Sequence, residues 1–282
     1  MTNYIKLTFV LVLLSFTSCS DVIDVEVPTA TERLNIEASI DWQKGTTGNE
    51  QTIILSTSTP YFDTTIDNTV VGASVKVTNI DSGTEYIFTD QNNGTYTISN
   101  FTPVFNNTFT LEVLYNNEVY TATETMIAVP AINRAEQSLE GGFDDEVLDV
   151  TIYWDDPEAE ENFYFSKFDY QELLFPNLDT GSDEFSNGNE MDEFFERDKE
   201  DDDGNSTEFL PGDTVEISLY GISERYYNYL SLLLDQYYGG GNPFSSIPAE
   251  LRGNCINVTN SENYAFGYFR LSEYDTLTYT FE

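Results

Sequence analysis

Residues 70–99, VVGASVKVTNIDSGTEYIFTDQNNGTYTIS, set short alternating runs of apolar and polar residues between breaks at Asp-Ser-Gly and Gln-Asn-Asn-Gly. Successive side chains of an extended chain point to opposite faces, so this period suits half-buried strands and is too short-ranged for a helix. Glycine and asparagine at the breaks accept the positive φ that tight turns require. The stretch therefore predicts three strands. LNIEASI (34–40) alternates in the same way, and QTIILSTSTP (51–60) is a β-branched run stopped by Pro60. NTFTLEVLYNNEVYTATETMI (107–127) reads as a hairpin across Asn116-Asn117. Short strands at this spacing predict an Ig-like β-sandwich over residues 31–129.

VPAINR (129–134) marks a boundary, and residues 130–282 are expected to form a second β-rich domain. In VLDVTIYWDDPEAEENFYFSKFDYQELL the alternating Val150, Ile152 and Trp154 supply an inner face, which the Asp-Asp-Pro turn ends. The interval 176–212 is acidic and rich in glycine and asparagine, a composition that buries little and predicts a long acidic loop. TVEISLYGI (214–222) is again a strand. One amphipathic helix is predicted over 223–238, with Ser223 as N-cap and Tyr226, Leu230, Leu233 and Tyr237 along one face. Three glycines and a proline then stop it, and NYAFGYFRLSEYDTLTYTFE supplies closing strands. The expected fold is mainly β: an Ig-like sandwich, then a second β domain carrying one helix and a long acidic loop.

The N-terminus carries Lys6, an apolar block from Leu7 to Phe16, the small pair Thr17-Ser18, and then Cys19. Roughly 20 apolar residues are needed to cross a bilayer, so the block is too short to span. It reads as a secretory leader over 1–18. The cysteine after the small pair is the bacterial lipoprotein pattern, with Cys19 as the acylated N-terminus and 19–30 as a tether. The alternative is an ordinary leader followed by an unrelated cysteine.

The chain has 11 basic and 50 acidic residues, a net charge of −39. Such a field repels nucleic acid and anionic lipid, so neither is an expected partner, and it suits a solvated body. Histidine is absent, which excludes Ser-His-Asp and Cys-His nucleophilic sites and His-ligated zinc. No catalytic residue stands out, because 50 carboxylates make chance pairs inevitable. Cys255, with no histidine to pair with, is read as a small buried hydrophobe.

Three other groups merit naming. Aligned on Gly204, an EF-hand-type loop places Asp201 and Asp203 correctly but puts Lys199 and Leu210 at two essential ligand positions. A less regular calcium site of Asp201, Asp203 and Asn205 stands against a merely solvated loop, so calcium is the one candidate cofactor. Among the C-terminal tyrosines, Tyr226 and Tyr237 are expected in the core. Tyr227 and Tyr238 fall off that face and are candidates for a ligand or partner surface. Thr64, Thr214 and Thr276 stand in Asp-Thr-Thr, Asp-Thr-Val and Asp-Thr-Leu triplets that resemble the O-glycosylation acceptor of exported Bacteroidota proteins.

The order of these elements resembles one family. Cys19, LNIEASI, VVGASVKVTNIDSGTEYIFTDQNNGTYT, IYWDDPEAEENFYF, the acidic stretch, SERYYNYLSLL and GNCINVTNSENYAFGYF together are similar to Bacteroidota outer-membrane lipoproteins of domain-of-unknown-function family 4249, often encoded beside TonB-dependent receptors. Gly72, Gly253 and Gly267 carry much of the likeness. The resemblance implies no activity, but it does imply a lipid-anchored place in the outer membrane and a TonB-dependent receptor barrel as partner. Ser20-Asp21 with Asp24 and Glu26 resembles the acidic signal that sends such lipoproteins to the cell exterior. The expected function is a non-enzymatic accessory or ligand-capture partner of the transporter. The alternatives are a cell-envelope adhesin or structural module and, third, a carboxylate-based hydrolase.

Overall fold

A computed structural model describes residues 31–60, 67–200, 204–239 and 250–282. The leader, the tether with Cys19, Thr64, Asp201 and Asp203 lie outside the described residues. Contacts divide the chain into Met1–Thr31 and Glu32–Glu282, and the strands of the described residues belong to the second unit. No helix among the described residues is long and apolar enough to cross a membrane.

The first seven strands are β1 (Leu34–Gln43), β2 (Gln51–Thr57), β3 (Ser74–Asn79), β4 (Thr84–Asp90), β5 (Thr95–Ile98), β6 (Thr108–Tyr115) and β7 (Glu118–Ile127). They neighbour one another in the order β1-β2-β5-β4-β3-β6-β7. The β6–β7 hairpin turns at Asn116 and Asn117, whose φ values of 51° and 62° match a two-residue turn with the right-handed twist of its strands. At the β3–β4 turn, Asn79 Oδ1 accepts the Asp81 and Ser82 N–H groups, so a side chain does the work of a backbone acceptor. Inward residues such as Ile36, Ile53, Val75, Tyr96, Phe109 and Leu111 form one core.

The second half contributes β8 (Arg134–Ser138), β9 (Asp149–Asp155), β10 (Phe163–Tyr170), β11 (Asn177–Ser182), β12 (Glu190–Glu196), β13 (Thr214–Ile222), the helix α1 (Glu224–Tyr238), β14 (Ile256–Asn257) and β15 (Phe266–Thr280). A three-stranded sheet β12-β9-β8 and the run β11-β10-β13-β15 bury a second core. Val150, Ile152 and Trp154 face into it, as the alternation predicts.

Three expectations need correction. The interval 176–212 is not one loop: it holds β11, paired with β10, and β12, paired with β9. Averaged composition hid the period of two in EMDEFFE, where Met191, Glu193 and Phe195 stand opposite Trp154, Ile152 and Val150. The helix has the expected N-cap, Ser223 Oγ accepting the Tyr226 N–H at 3.2 Å. Its buried line is Leu230 and Leu234, however, while Leu233 and Tyr237 are 40% and 63% exposed. Packing on β10 and β11 selects the i, i+4 row from Tyr226, and the competing row through Leu233 faces away.

The third correction concerns β15, which is one 15-residue strand instead of several. Its first part runs parallel to β1, from Asn35↔Phe266 to Gln43↔Tyr274, and touches β7 at Leu271 and Ser272. Its second part, Tyr274 to Thr280, pairs antiparallel with β13. Cys255, Ala265, Phe269 and Leu271 accordingly join the core built by residues 34–126. Two glycines permit this. Gly267, at φ 101°, lies where a Cβ would come within 2.1 Å of Ile36 O. Gly253, at φ 89°, would place a Cβ 1.7 Å from Gly267 O. Three backbones are thus stacked at a spacing that excludes even a methyl group.

Candidate functional site

The chain between β13 and β14 carries α1. The helix rests Leu230 and Leu234 on Phe165, Tyr220 and Ile222. Tyr227, half-buried, packs against Phe163 with ring centroids 5.1 Å apart. Tyr226 meets Tyr268 edge-on at 4.8 Å. Leu232, Leu233, Tyr237 and Tyr238 are 50%, 40%, 63% and 55% exposed, on a surface that also carries Asn228 and Asp235. The Tyr238 hydroxyl still exchanges hydrogen bonds with the backbone of Leu178, donating to its carbonyl and accepting its N–H, each at 3.3 Å. The structure thus places the two surface candidates differently, Tyr227 against the sheet and Tyr238 at the rim.

A cleft of about 770 Å³ opens beside the helix N-terminus, lined among others by Thr123, Glu124, Asn162, Phe163, Ser223 and Arg225. Glu124 is a buried carboxylate that accepts from Tyr268 Oη at 3.0 Å and from Asn254 Nδ2 at 3.2 Å. The Arg225 guanidinium lies 3.5 Å from it and extends into solvent. Burial, and then the charge of Glu124, holds the Tyr268 phenol well above its usual range. Sequence reading passed over Glu124 as one carboxylate among 50. Its signal was positional, because it continues the inward row Tyr120, Ala122 and Met126 of β7.

A second cleft of about 500 Å³ contains Asp179, Glu193 and Arg197. Glu193 occupies an inward position of β12, and burial followed by the charge of Asp179 pushes its carboxyl up to about 7. Asp179 is raised as well, by burial. A carboxyl that titrates near neutrality beside a second carboxyl can hold or release a proton at working pH. The consequence for stability has a definite sign. Between the ordinary carboxyl value and about 7 the folded chain binds the proton that the unfolded chain releases, so stability falls as pH rises through that window. Glu193→Gln is expected to gain about 1–3 kcal/mol at pH 8 and almost nothing at pH 4, read by urea unfolding at both. Parallel wild-type and variant curves across that range would refute the assignment.

Asn205, the described member of the calcium trio, is exposed and follows Gly204. Thr214 is exposed at the start of β13, whereas the Thr276 hydroxyl donates to Ile217 O at 3.0 Å. Cys255 is a buried free thiol that burial pushes up to about 12, in keeping with a packing role.

These elements define a mainly β protein with one helix between β13 and β14. The family model described as domain of unknown function (DUF4249) matches residues 20–278, and the chain belongs to that family. No curated protein matches the chain. Solved structures that it resembles include a two-domain fibronectin type-III segment of chicken tenascin, at 11% identity over 61% of this chain and 85% of that one, TM-score 0.20. Another is a Legionella pneumophila protein of domain-of-unknown-function family 4785, at 9% identity over 67% of this chain and 52% of that one, TM-score 0.27. The alpha chain of the chicken interferon gamma receptor matches at 12% identity over 67% and 86%, TM-score 0.20.

Proposed function

We propose that this chain is a surface-exposed outer-membrane lipoprotein of a bacterium of the Bacteroidota, anchored through Cys19, that assists a TonB-dependent transporter without catalysing a reaction. It does so by capturing ligand or by completing the extracellular face of the barrel. The observation that carries this reading is the exposure of Leu233 and Tyr237, one turn apart on α1, beside Tyr238, whose ring lies 5.2 Å from that of Tyr237, on a body whose net charge is −39. Clustered exposed leucine and tyrosine mark contact surfaces, whereas scattered single residues do not. The lipoprotein pattern at Cys19 and the family's company supply the membrane and the partner.

Two variants test the reading. Cys19→Ser should abolish acyl labelling and move the protein from the membrane fraction to the soluble fraction, since no acyl chain then holds it. Tyr237→Asp with Leu233→Asp should keep the thermal midpoint, both sites being exposed, yet reduce recovery of the receptor barrel from detergent-solubilised membranes. Wild-type protein that purifies without any barrel would defeat the proposal. A hydrolase has one observation in its favour, the neutral-range carboxyl of Glu193 beside Asp179. That reading requires Glu193→Gln to lose activity on a glycoside panel on which the wild type acts.

A further inference from the structure

Strand β11 ends its sheet: it pairs with β10, and no described strand pairs with its other edge. In an antiparallel strand the N–H and C=O of one residue point the same way, and successive residues alternate between the partner and the opposite side. Asp183 directly follows β11, and its N–H donates at 3.2 Å to the carbonyl of Asn162, which directly precedes β10. The alternation therefore turns Gly181, Asp179 and Asn177 toward β10 as well. Leu178, Thr180 and Ser182 present their backbone groups to the open edge.

Side chains, not a strand, occupy two of these three residues. The Tyr238 hydroxyl accepts the Leu178 N–H and donates to the Leu178 carbonyl, each at 3.3 Å. The Thr180 N–H donates to Asp179 Oδ1 at 2.6 Å. An unpaired edge is a template for another chain, and folds cover it, charge it or shorten it. Here the cover over Leu178 is one hydroxyl, held by bonds longer than the usual range of roughly 2.7–3.0 Å. It belongs to a side chain 55% exposed in the last turn of α1.

The edge has space beside it. A groove of about 560 Å³ lies between β11 and the C-terminal half of α1, lined by Leu178, Thr180, Ser231, Leu234, Asp235 and Tyr238 among others. Leu178 packs toward the helix and the Thr180 and Ser231 hydroxyls lie 2.9 Å apart, so these two side chains share the helix face of β11. Asp179, one residue out of phase, takes the other face, where it lines the 500 Å³ cleft. One carboxylate thus stands on each face of the edge, Asp235 with the helix and Asp179 opposite, and the described lining of the groove holds no lysine or arginine. That charge disfavours a second copy of this chain, itself at −39, and favours a basic segment. We propose that the open edge of β11 docks an extended, lysine- or arginine-bearing segment of a partner protein as an added strand, in place of the Tyr238 hydroxyl. Main-chain bonds to Leu178 and Thr180 supply affinity, and side chains alternating between the groove and Asp179 supply selectivity. This mode of contact does not depend on the partner being a transporter barrel.

The test titrates the mature chain, by fluorescence anisotropy, with a synthetic peptide of about eight residues alternating valine and lysine, a common strand length. Two controls accompany it: glutamate in place of every lysine, and the lysine peptide with alternate backbone amides methylated. The lysine peptide should bind, more weakly as salt rises, and both controls should fail. Hydrogen exchange should show the Leu178 and Thr180 amides gaining at least about tenfold protection on binding, with Asp179 and Gly181 unchanged. Leu178→Pro removes the outward N–H and spares the bonds to β10, a position where strands tolerate proline. It should weaken the peptide at least about fivefold, because the carbonyl facing it loses its donor. Tyr238→Phe removes the competing hydroxyl, so affinity should rise roughly 2- to 10-fold, the worth of a hydrogen bond; a purely structural tyrosine would give no gain. The proposal is overturned if the lysine peptide fails to bind below about 1 mM, the weak end of specific association. It is equally overturned if the methylated peptide binds as well, if Leu178→Pro keeps wild-type affinity, or if protection falls on another strand. A dimer in analytical ultracentrifugation that Leu178→Pro abolishes would make a second copy the occupant and overturn it too. Should Leu178→Pro fail to fold, the exchange pattern of the wild type and the sign of the Tyr238→Phe effect decide.

Discussion

Gly267→Ala and Gly253→Ala should each lower unfolding free energy by at least about 3 kcal/mol, whereas Gly72→Ala should cost only about 1 kcal/mol. All three glycines have positive φ, at 101°, 89° and 76°, so an added methyl group strains the backbone similarly at each. What differs is the space around them. A Cβ on Gly72 meets nothing within 4 Å, while one on Gly267 or Gly253 would fall 2.1 Å or 1.7 Å from a backbone oxygen. A backbone oxygen cannot swing aside as a side chain can, so β15 would have to move off β1, or the 253 segment off β15. Urea unfolding of the three variants decides the matter. Equal losses would mean that the left-handed conformation alone, and not the stacking of three chains, is what these glycines serve.

Arg270→Ala should cost about 3–5 kcal/mol, the usual result of breaking a buried pair from one side. Arg270 sits on β15 with its side chain 9% exposed. Its guanidinium approaches Asp41 of β1 at 2.8 Å as an ion pair, and the Nη2 to Oδ2 contact at 3.1 Å is the one with hydrogen-bond geometry. It also lies 5.0 Å from the Tyr220 ring and 5.3 Å from that of Tyr226, which brings β13 and α1 into the same cluster. Cation–π contacts of this kind contribute about 0.5–2 kcal/mol each. Replacing both charges, as Arg270→Met with Asp41→Asn, should cost less than Arg270→Ala alone, since no carboxylate is then left facing the gap. Thermal and urea unfolding should rank the variants in that order. If the double variant is the least stable, the charges are doing more than neutralising each other.

Much of the β architecture was legible because its signals are local. Asn116-Asn117 took the positive φ of a two-residue turn, Ser223 capped its helix, and Val150, Ile152 and Trp154 faced inward. β11 and β12 were hidden because acidic and asparagine-rich composition outweighed a short alternation. Glu193 and Glu124 could have been noticed as carboxylates on inward strand positions.

From its residues alone, the chain is a punctuated, mainly β protein with one capped helix, without histidine chemistry, and with the lipoprotein pattern at Cys19. Those properties follow from periods of two and four residues, turn propensities and composition, which require no distant partner. Folding in three dimensions settled which helix row is buried, that one C-terminal strand joins β1, β7 and β13, and which few of 50 acidic groups are removed from water. These depend on contacts between residues as far apart as Ile36 and Gly267, and the chain carries no local signal for so long a separation.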